Sequence, residues 1–193
     1  LNTVNSLVNI GGKVTTGTET RFGTIDNRAN SEISTSGTTT INTLQNEGTV
    51  TVSGVTQLYG PVTGRGTINF QGLTNLYTDI DTQVASNIIG SINMQENTVI
   101  NINSGDSWSG TITMAQDGVQ LYFKDIVSSG VINAAKGNIY IQSGKLNAGY
   151  SATITTDVVT DIQTPATLLV NGGTVNIDSN DTWAGNIQLD TGS

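Results

Sequence analysis

One four-residue phrase limits what this chain can become: a glycine, a small residue, Ile or Val, then Asn or Thr. It reads Gly48-Thr49-Val50-Thr51, Gly66-Thr67-Ile68-Asn69, Gly90-Ser91-Ile92-Asn93, Gly110-Thr111-Ile112-Thr113 and Gly130-Val131-Ile132-Asn133. Weaker copies follow at Ala152-Thr153-Ile154-Thr155, Gly173-Thr174-Val175-Asn176 and Gly185-Asn186-Ile187-Gln188. A phrase that returns about every twenty residues is the signature of a solenoid, in which each repeat is one turn stacked on the last. The residue types agree, because Thr, Ile and Val favour strands while Gly and Asn favour the turns between them.

The register is clearest in the middle. Ile92, Ile112 and Ile132 are twenty residues apart, and Val99, Val119 and Ile139 keep the same step. Three short apolar clusters per repeat, separated by Gly, Asn and Ser, leave room for three strands of about four or five residues. The expected fold is therefore all-β: a right-handed parallel β-helix, or solenoid, with about twenty residues per turn, three short strands per turn and apolar columns facing inward. Between Ile68 and Ile92 the step lengthens to 24 residues, which predicts an inserted loop near Asn75 to Ser86. Pro61 and Pro165 lack an N–H to give to a ladder and belong in turns. Residues 1–47 alternate but keep a poorer period, so they are expected to be irregular first turns or a cap. Residues 48–193 are expected to be the β-helix turns, in one continuous unit cut from a longer protein. A longer echo, from Val99 to Ile112 and again from Thr174 to Ile187, is offset by 75 residues, close to four turns. It points either to a duplicated block or to convergence on one turn chemistry.

Composition narrows the function classes. Charged residues are 11% of the chain and the net charge is −8, which argues against nucleic-acid binding and gives no attraction to an anionic membrane surface. The sequence has no Cys and no His, so disulfides, thiolate chemistry and Ser–His catalysis are excluded. No apolar run reaches the length of a membrane-spanning helix, and no membrane insertion by this segment is expected. No phosphate-binding glycine loop is present, and no cofactor is expected.

The Gly-Thr-Ile-Asn phrase with its step near twenty resembles the passenger repeats of bacterial surface β-helices, the autotransporter adhesins and the filamentous-haemagglutinin-like exoproteins. The likeness is best from Gly48 to Ser193 and lies in period and composition. It implies export to the extracellular side or outer surface of a bacterium, a rod-shaped passenger, and adhesion to a host or bacterial surface component or to another copy. A membrane barrel at the carboxy terminus and a secretion domain at the amino terminus, which mark the two families, are absent from this sequence.

Candidate residues fall into four groups. By strand alternation Asn69, Asn93, Thr113, Asn133, Thr155, Asn176 and Gln188 follow the inward Ile or Val and face outward, which predicts one polar column available for adhesion. The plainer reading of that column is a solubilising face. Trp108 and Trp183 hold equivalent places in the long echo and are candidate aromatic contacts, against the simpler expectation that each covers a corner of the core. Asp79 and Asp81, with Asp157 and Asp161 as a looser pair, are the carboxylates from which a polysaccharide lyase or hydrolase would be built, with Arg65 or Lys124 as the basic partner. Isolated acid pairs of this kind are more often solvated turn residues. The oxygen-rich segments 103–107 and 178–182 have donors for calcium but match neither the EF-hand nor the glycine-rich nonapeptide, and Asx turns account for them more simply. Ice binding needs an unbroken Thr-x-Thr array; Thr49-Val50-Thr51 and Thr111-Ile112-Thr113 fit it, but their equivalents are mostly Asn. The expected class is a non-enzymatic structural or adhesive segment, with the polysaccharide enzyme as the alternative.

Overall fold

The computed structural model describes residues 1–80, 85–103, 105–123, 126–141, 144–148, 153–154, 158–162, 167–170, 174–175 and 181–189. Among these residues there is no helix, and every strand pairing is parallel and joins one turn to the next. The fold is a parallel β-solenoid with three ladders, which define three outer faces.

The first ladder begins with the leading halves of Asn2–Asn9, Thr20–Asn27 and Thr39–Asn46. It continues through Val55–Leu58, Leu73–Leu76, Ser91–Met94, Thr111–Met114 and the end of Ile126–Ala134. The second takes the trailing halves of the three long strands and Val62–Thr63. It resumes at Ile80, which bridges Ile100, and runs on through Gln120–Phe123 and Gly137–Ile141. The third stacks Lys13–Thr16, Glu32–Thr35, Thr49–Val52, Thr67–Phe70, Ala85–Ile88 and Ser107–Trp108.

The turn is shorter than twenty residues through the amino-terminal half. Asn2 lies beside Thr20 and Leu73 beside Ser91, a step of 18. The step becomes twenty where Ser91 meets Thr111. This corrects the reading of the phrase itself. Gly48-Thr49-Val50-Thr51 and Gly66-Thr67-Ile68-Asn69 lie on the third face, whereas Gly90-Ser91-Ile92-Asn93 and its next two copies lie on the first. The long step from Ile68 to Ile92 is one turn, to Ser86, plus one corner. No inserted loop is needed, and Asn75 sits inside a strand. The echo at 75 residues also changes face: Val99–Ile102 pairs on the second ladder, while Thr174–Val175 pairs with Thr153–Ile154 on the first. That offset is not a whole number of turns, so the two segments are not duplicated rungs in register.

Residues 1–47 are not irregular. They supply the three longest strands of the amino-terminal half, each eight residues, and these bend from the first face to the second. Pro61 lies at a corner between Val55–Leu58 and Val62–Thr63 and offers its carbonyl to the Leu44 N–H at 3.1 Å. Pro165 lies outside the described residues.

The interior is built of columns. Phe22, Ile41, Leu58, Leu76, Met94, Met114 and Ala134 stack in one, and Val52, Phe70, Ile88 and Trp108 in another, all buried. Each large side chain removed from water in this way contributes roughly 1.5–3 kcal/mol before entropy is charged against it. One corner has no room for any side chain. A Cβ on Gly72 would stand 2.1 Å from the Gly54 carbonyl oxygen, and one on Gly90 would stand 2.2 Å from that of Gly72. Glycine there lets successive backbones approach closely, which keeps the first ladder tight against the third.

Candidate functional site

The outward amides form two strips on different faces. On the third face Asn69 Nδ2 donates to Thr51 Oγ1 at 3.1 Å, Asn87 Nδ2 to Asn69 Oδ1 at 2.7 Å, and Ser107 Oγ to Asn87 Oδ1 at 2.8 Å. On the first face Gln57, Asn75, Asn93, Thr113 and Asn133 are neighbours in register, and Asn93 Nδ2 donates to Asn75 Oδ1 at 3.2 Å. The single column expected from the phrase is thus divided: Asn69 belongs to one strip, and Asn93, Thr113 and Asn133 to the other. The alternation rule places Asn69, Asn93, Thr113 and Asn133 outward, but it carries no information about which of three similar strands a phrase occupies. Gln188 is exposed on Asn186–Leu189, which pairs with Thr167–Val170. Thr155 and Asn176 lie outside the described residues.

The first face has a further property. From Thr40 to Ala135 its outward residues are Thr40, Asn42, then Val55, Gln57, Tyr59 and their equivalents in the following turns, and none carries a charge. Val55, Leu73, Tyr59 and Tyr77 are among the exposed large apolar side chains. The ion pairs Lys13–Glu32, Arg28–Asp26 and Lys136–Asp117 all lie elsewhere. At ladder spacing this charge-free surface extends roughly 24 Å along the axis.

A third amide ladder faces inward. Asn9, Asn27 and Asn46 are buried at the corner between the second and third faces. Asn9 Nδ2 donates to Asn27 Oδ1 at 3.1 Å and Asn27 Nδ2 to Asn46 Oδ1 at 2.8 Å. The same amides also donate to the backbone carbonyls of Glu32, Thr49 and Thr67 as the chain enters the next strand. Sequence reasoning missed this ladder. The signal was Asn at steps of 18 and 19 in the region expected to be irregular.

The candidate acids close corners. Asp79 Oδ1 accepts the Val99 N–H at 2.8 Å. Asp106 Oδ1 accepts Ser86 N–H at 2.7 Å and its Oδ2 accepts Asn103 N–H at 2.8 Å. Burial lifts the Asp106 carboxyl above its usual range, outweighing those two hydrogen bonds, which pull it down. Arg65 lines a polar notch of about 500 Å³ with Asn30, Glu32, Glu47 and Thr49, and Asp79 is not part of it. Asp81, Lys124 and Asp157 lie outside the described residues, and Asp161 is placed only by its backbone pairing with Tyr140 and Thr182. Among the described residues no three acidic groups converge on a point where a metal ion would sit. Of the oxygen-rich segments, Ser104 and residues 178–180 lie outside the description.

Trp108 is a core residue. It is 2% exposed, packs tilted against Phe123 with centroids 5.4 Å apart, and covers the backbone of Gly130, where a Cβ would fall within the indole. Of the two readings of Trp108, the simpler one, a core position, is what its strand gives, because it pairs with Ala85–Ile88 and directs the indole into the Ile88 column. Trp183 is placed by its backbone beside Ile162, on the ladder of Val158–Ile162, so the two Trp residues do not occupy equivalent rungs. Comparison with known proteins matched no protein family, no curated protein and no solved structure.

Proposed function

We propose that the chain is a non-enzymatic structural and adhesive segment of a secreted bacterial surface protein, which binds through its first face. One observation carries this reading: a protein of net charge −8 keeps the first face free of charged side chains from Thr40 to Ala135, beyond the exposed Arg21 of the preceding turn, while exposing Val55, Leu73, Tyr59 and Tyr77 on it. Like-charged molecules repel at long range, so an uncharged face is where a partner can approach without burying unpaired ions. A ladder of identical rungs offers many weak contacts side by side, and affinity then grows with the number engaged. The partner is a host or bacterial surface component, or a second copy. The engagement of Asp79 Oδ1 with a backbone N–H favours this reading over a lyase or hydrolase built on that carboxylate, which must be turned to a glycosidic substrate.

Beads coated with the protein provide the test, scored for clumping with one another and for adherence to whole bacterial and epithelial cells. Introducing Leu73→Lys with Thr113→Lys should abolish attachment, while Asn69→Lys on the third face should leave it intact. Equal binding by all three proteins would refute the assignment, as would release of reducing sugars or unsaturated products from polygalacturonate by the unmodified chain.

A further inference from the structure

Two pairs of tyrosines stack along the axis. Tyr59 and Tyr77 directly follow the paired strands Val55–Leu58 and Leu73–Leu76. The backbone ladder extends to them, since the Tyr77 N–H donates to the Leu58 carbonyl at 2.9 Å. Their rings lie 4.4 Å apart between centroids and 15° from parallel, with 44% of Tyr59 and 40% of Tyr77 exposed. The Tyr59 hydroxyl donates to Gln57 Oε1 at 2.9 Å. Tyr122 and Tyr140 repeat the arrangement on the second face, at 4.4 Å and 14°. That second pair is only partly exposed, and both its hydroxyls are held, by Gln120 and by Asn138.

Rings stacked in this way each have one face covered by the other. That is a poor platform for a sugar ring and a good arrangement for joining the two phenols. When a phenol loses one electron and its hydroxyl proton, the unpaired density spreads over the oxygen and the ring carbons ortho to it. In the Tyr59–Tyr77 pair the ladder holds the second ring over the first with centroids 4.4 Å apart, so the two phenols that must join are already in contact before any oxidation occurs. Partial desolvation, and then the Tyr59 phenol beside it, hold the Tyr77 hydroxyl above the usual tyrosine range, so Tyr77 is a neutral phenol at neutral pH.

We propose that Tyr59 and Tyr77 are a site of oxidative modification, at which hydrogen peroxide acting through a haem peroxidase joins the two rings as dityrosine and ties one turn of the solenoid to the next. Each phenol gives up one electron and its hydroxyl proton. A carbon–carbon bond forms between one ortho carbon of each ring, and the two ortho hydrogens pass to the oxygens, which restores two aromatic phenols. The two electrons and two protons released reduce one hydrogen peroxide to two waters. In a chain with no cysteine this link does what a disulfide would do: it closes the loop from Tyr59 to Tyr77 and restricts the unfolded chain. The exposed pair reacts first, and Tyr122–Tyr140 follows more slowly. The proposal stands apart from the adhesive reading, since neither requires the other.

The purified chain, held dilute, is treated with a haem peroxidase and hydrogen peroxide. The expected result is blue dityrosine fluorescence in the monomer, an intact mass lower by two hydrogen atoms, and a cross-linked peptide pair containing Tyr59 and Tyr77. The linked monomer should unfold at higher urea. Tyr59→Phe, which keeps the ring and its stacking, should reduce the early intramolecular product to background, while Tyr122→Phe should leave it unchanged. Dityrosine confined to dimers, a first link between other tyrosines, the same early yield in Tyr59→Phe, or no dityrosine at all would each overturn the proposal.

Discussion

Replacing Asn27 by leucine removes the middle rung of the buried amide ladder while keeping the same branched shape and number of side-chain heavy atoms. The Asn27 side chain is fully buried. Its Nδ2 donates to Asn46 Oδ1 at 2.8 Å and to the Thr49 carbonyl at 3.2 Å, and its Oδ1 accepts from Asn9 Nδ2 at 3.1 Å. In Asn27→Leu, Asn46 Oδ1 is left buried with no donor. Asn9 Nδ2 keeps the carbonyls of Gly12 and Glu32 and loses less. A buried polar group stranded in this way costs about 1–3 kcal/mol, and with the lost bond to Thr49 added the expected destabilisation is about 2–4 kcal/mol. Asn9→Leu strands the fully buried Asn27 oxygen and loses the bonds to the Gly12 and Glu32 carbonyls, so it should cost a comparable amount, about 2–4 kcal/mol. Urea unfolding followed by far-ultraviolet circular dichroism measures both, provided the slopes agree with the unmodified chain. Asn27→Leu combined with Asn46→Leu should cost less than the sum of the two, because removing both partners leaves neither orphaned. If Asn27→Leu costs less than about 1 kcal/mol, or the double substitution is additive, the amides are not acting as one ladder.

Thr56 stands between Thr39 and Thr74 in a buried column, and none of the three hydroxyls has a partner; Thr56→Val should therefore raise stability by about 1 kcal/mol in the same urea assay. Gly72→Ala sets a methyl against the Gly54 carbonyl and should destabilise by about 3 kcal/mol or prevent folding, whereas Gly105→Ala, with open space around it, should be near neutral. Asp106 binds its proton more tightly folded than unfolded, so its contribution favours the folded state at low pH and is lost as pH rises through its elevated value. Carbon-detected NMR titration should place Asp106 above an ordinary aspartate, and a value at or below the ordinary range would contradict the dominance of burial.

How much of this was legible in the sequence depended on which chemistry repeats within a turn. The inward position of Ile68, Ile92, Ile112 and Ile132 follows from alternation alone, and each is buried. Their division between two faces does not follow, because all three strands of a turn obey the same alternation and similar corners precede two of them. The step of 18 is hidden for the same reason: the phrase recurs on different faces, so the spacing between its copies includes the corner between Ser86 and Ile92. Residues 1–47 looked irregular because their core alternates apolar columns with buried polar ones. Thr20, Thr39, Asn9, Asn27 and Asn46 hold inward positions that a search for Ile and Val passes over. Trp108 was ambiguous because its burial depends on a partner strand twenty residues away.

The most direct test of the architecture is which pair of cysteines can join. Asn69 and Asn87 are partners in register on the third face, where neighbouring Cα atoms stand about 4.8 Å apart, within disulfide reach. The chain carrying Asn69→Cys and Asn87→Cys should therefore oxidise to an intramolecular disulfide under mild conditions, while the chain carrying Asn69→Cys and Asn93→Cys, on different faces, should stay reduced. The opposite outcome, linkage of 69 to 93 and none of 69 to 87, would restore the single column and contradict the three-faced, 18-residue turn.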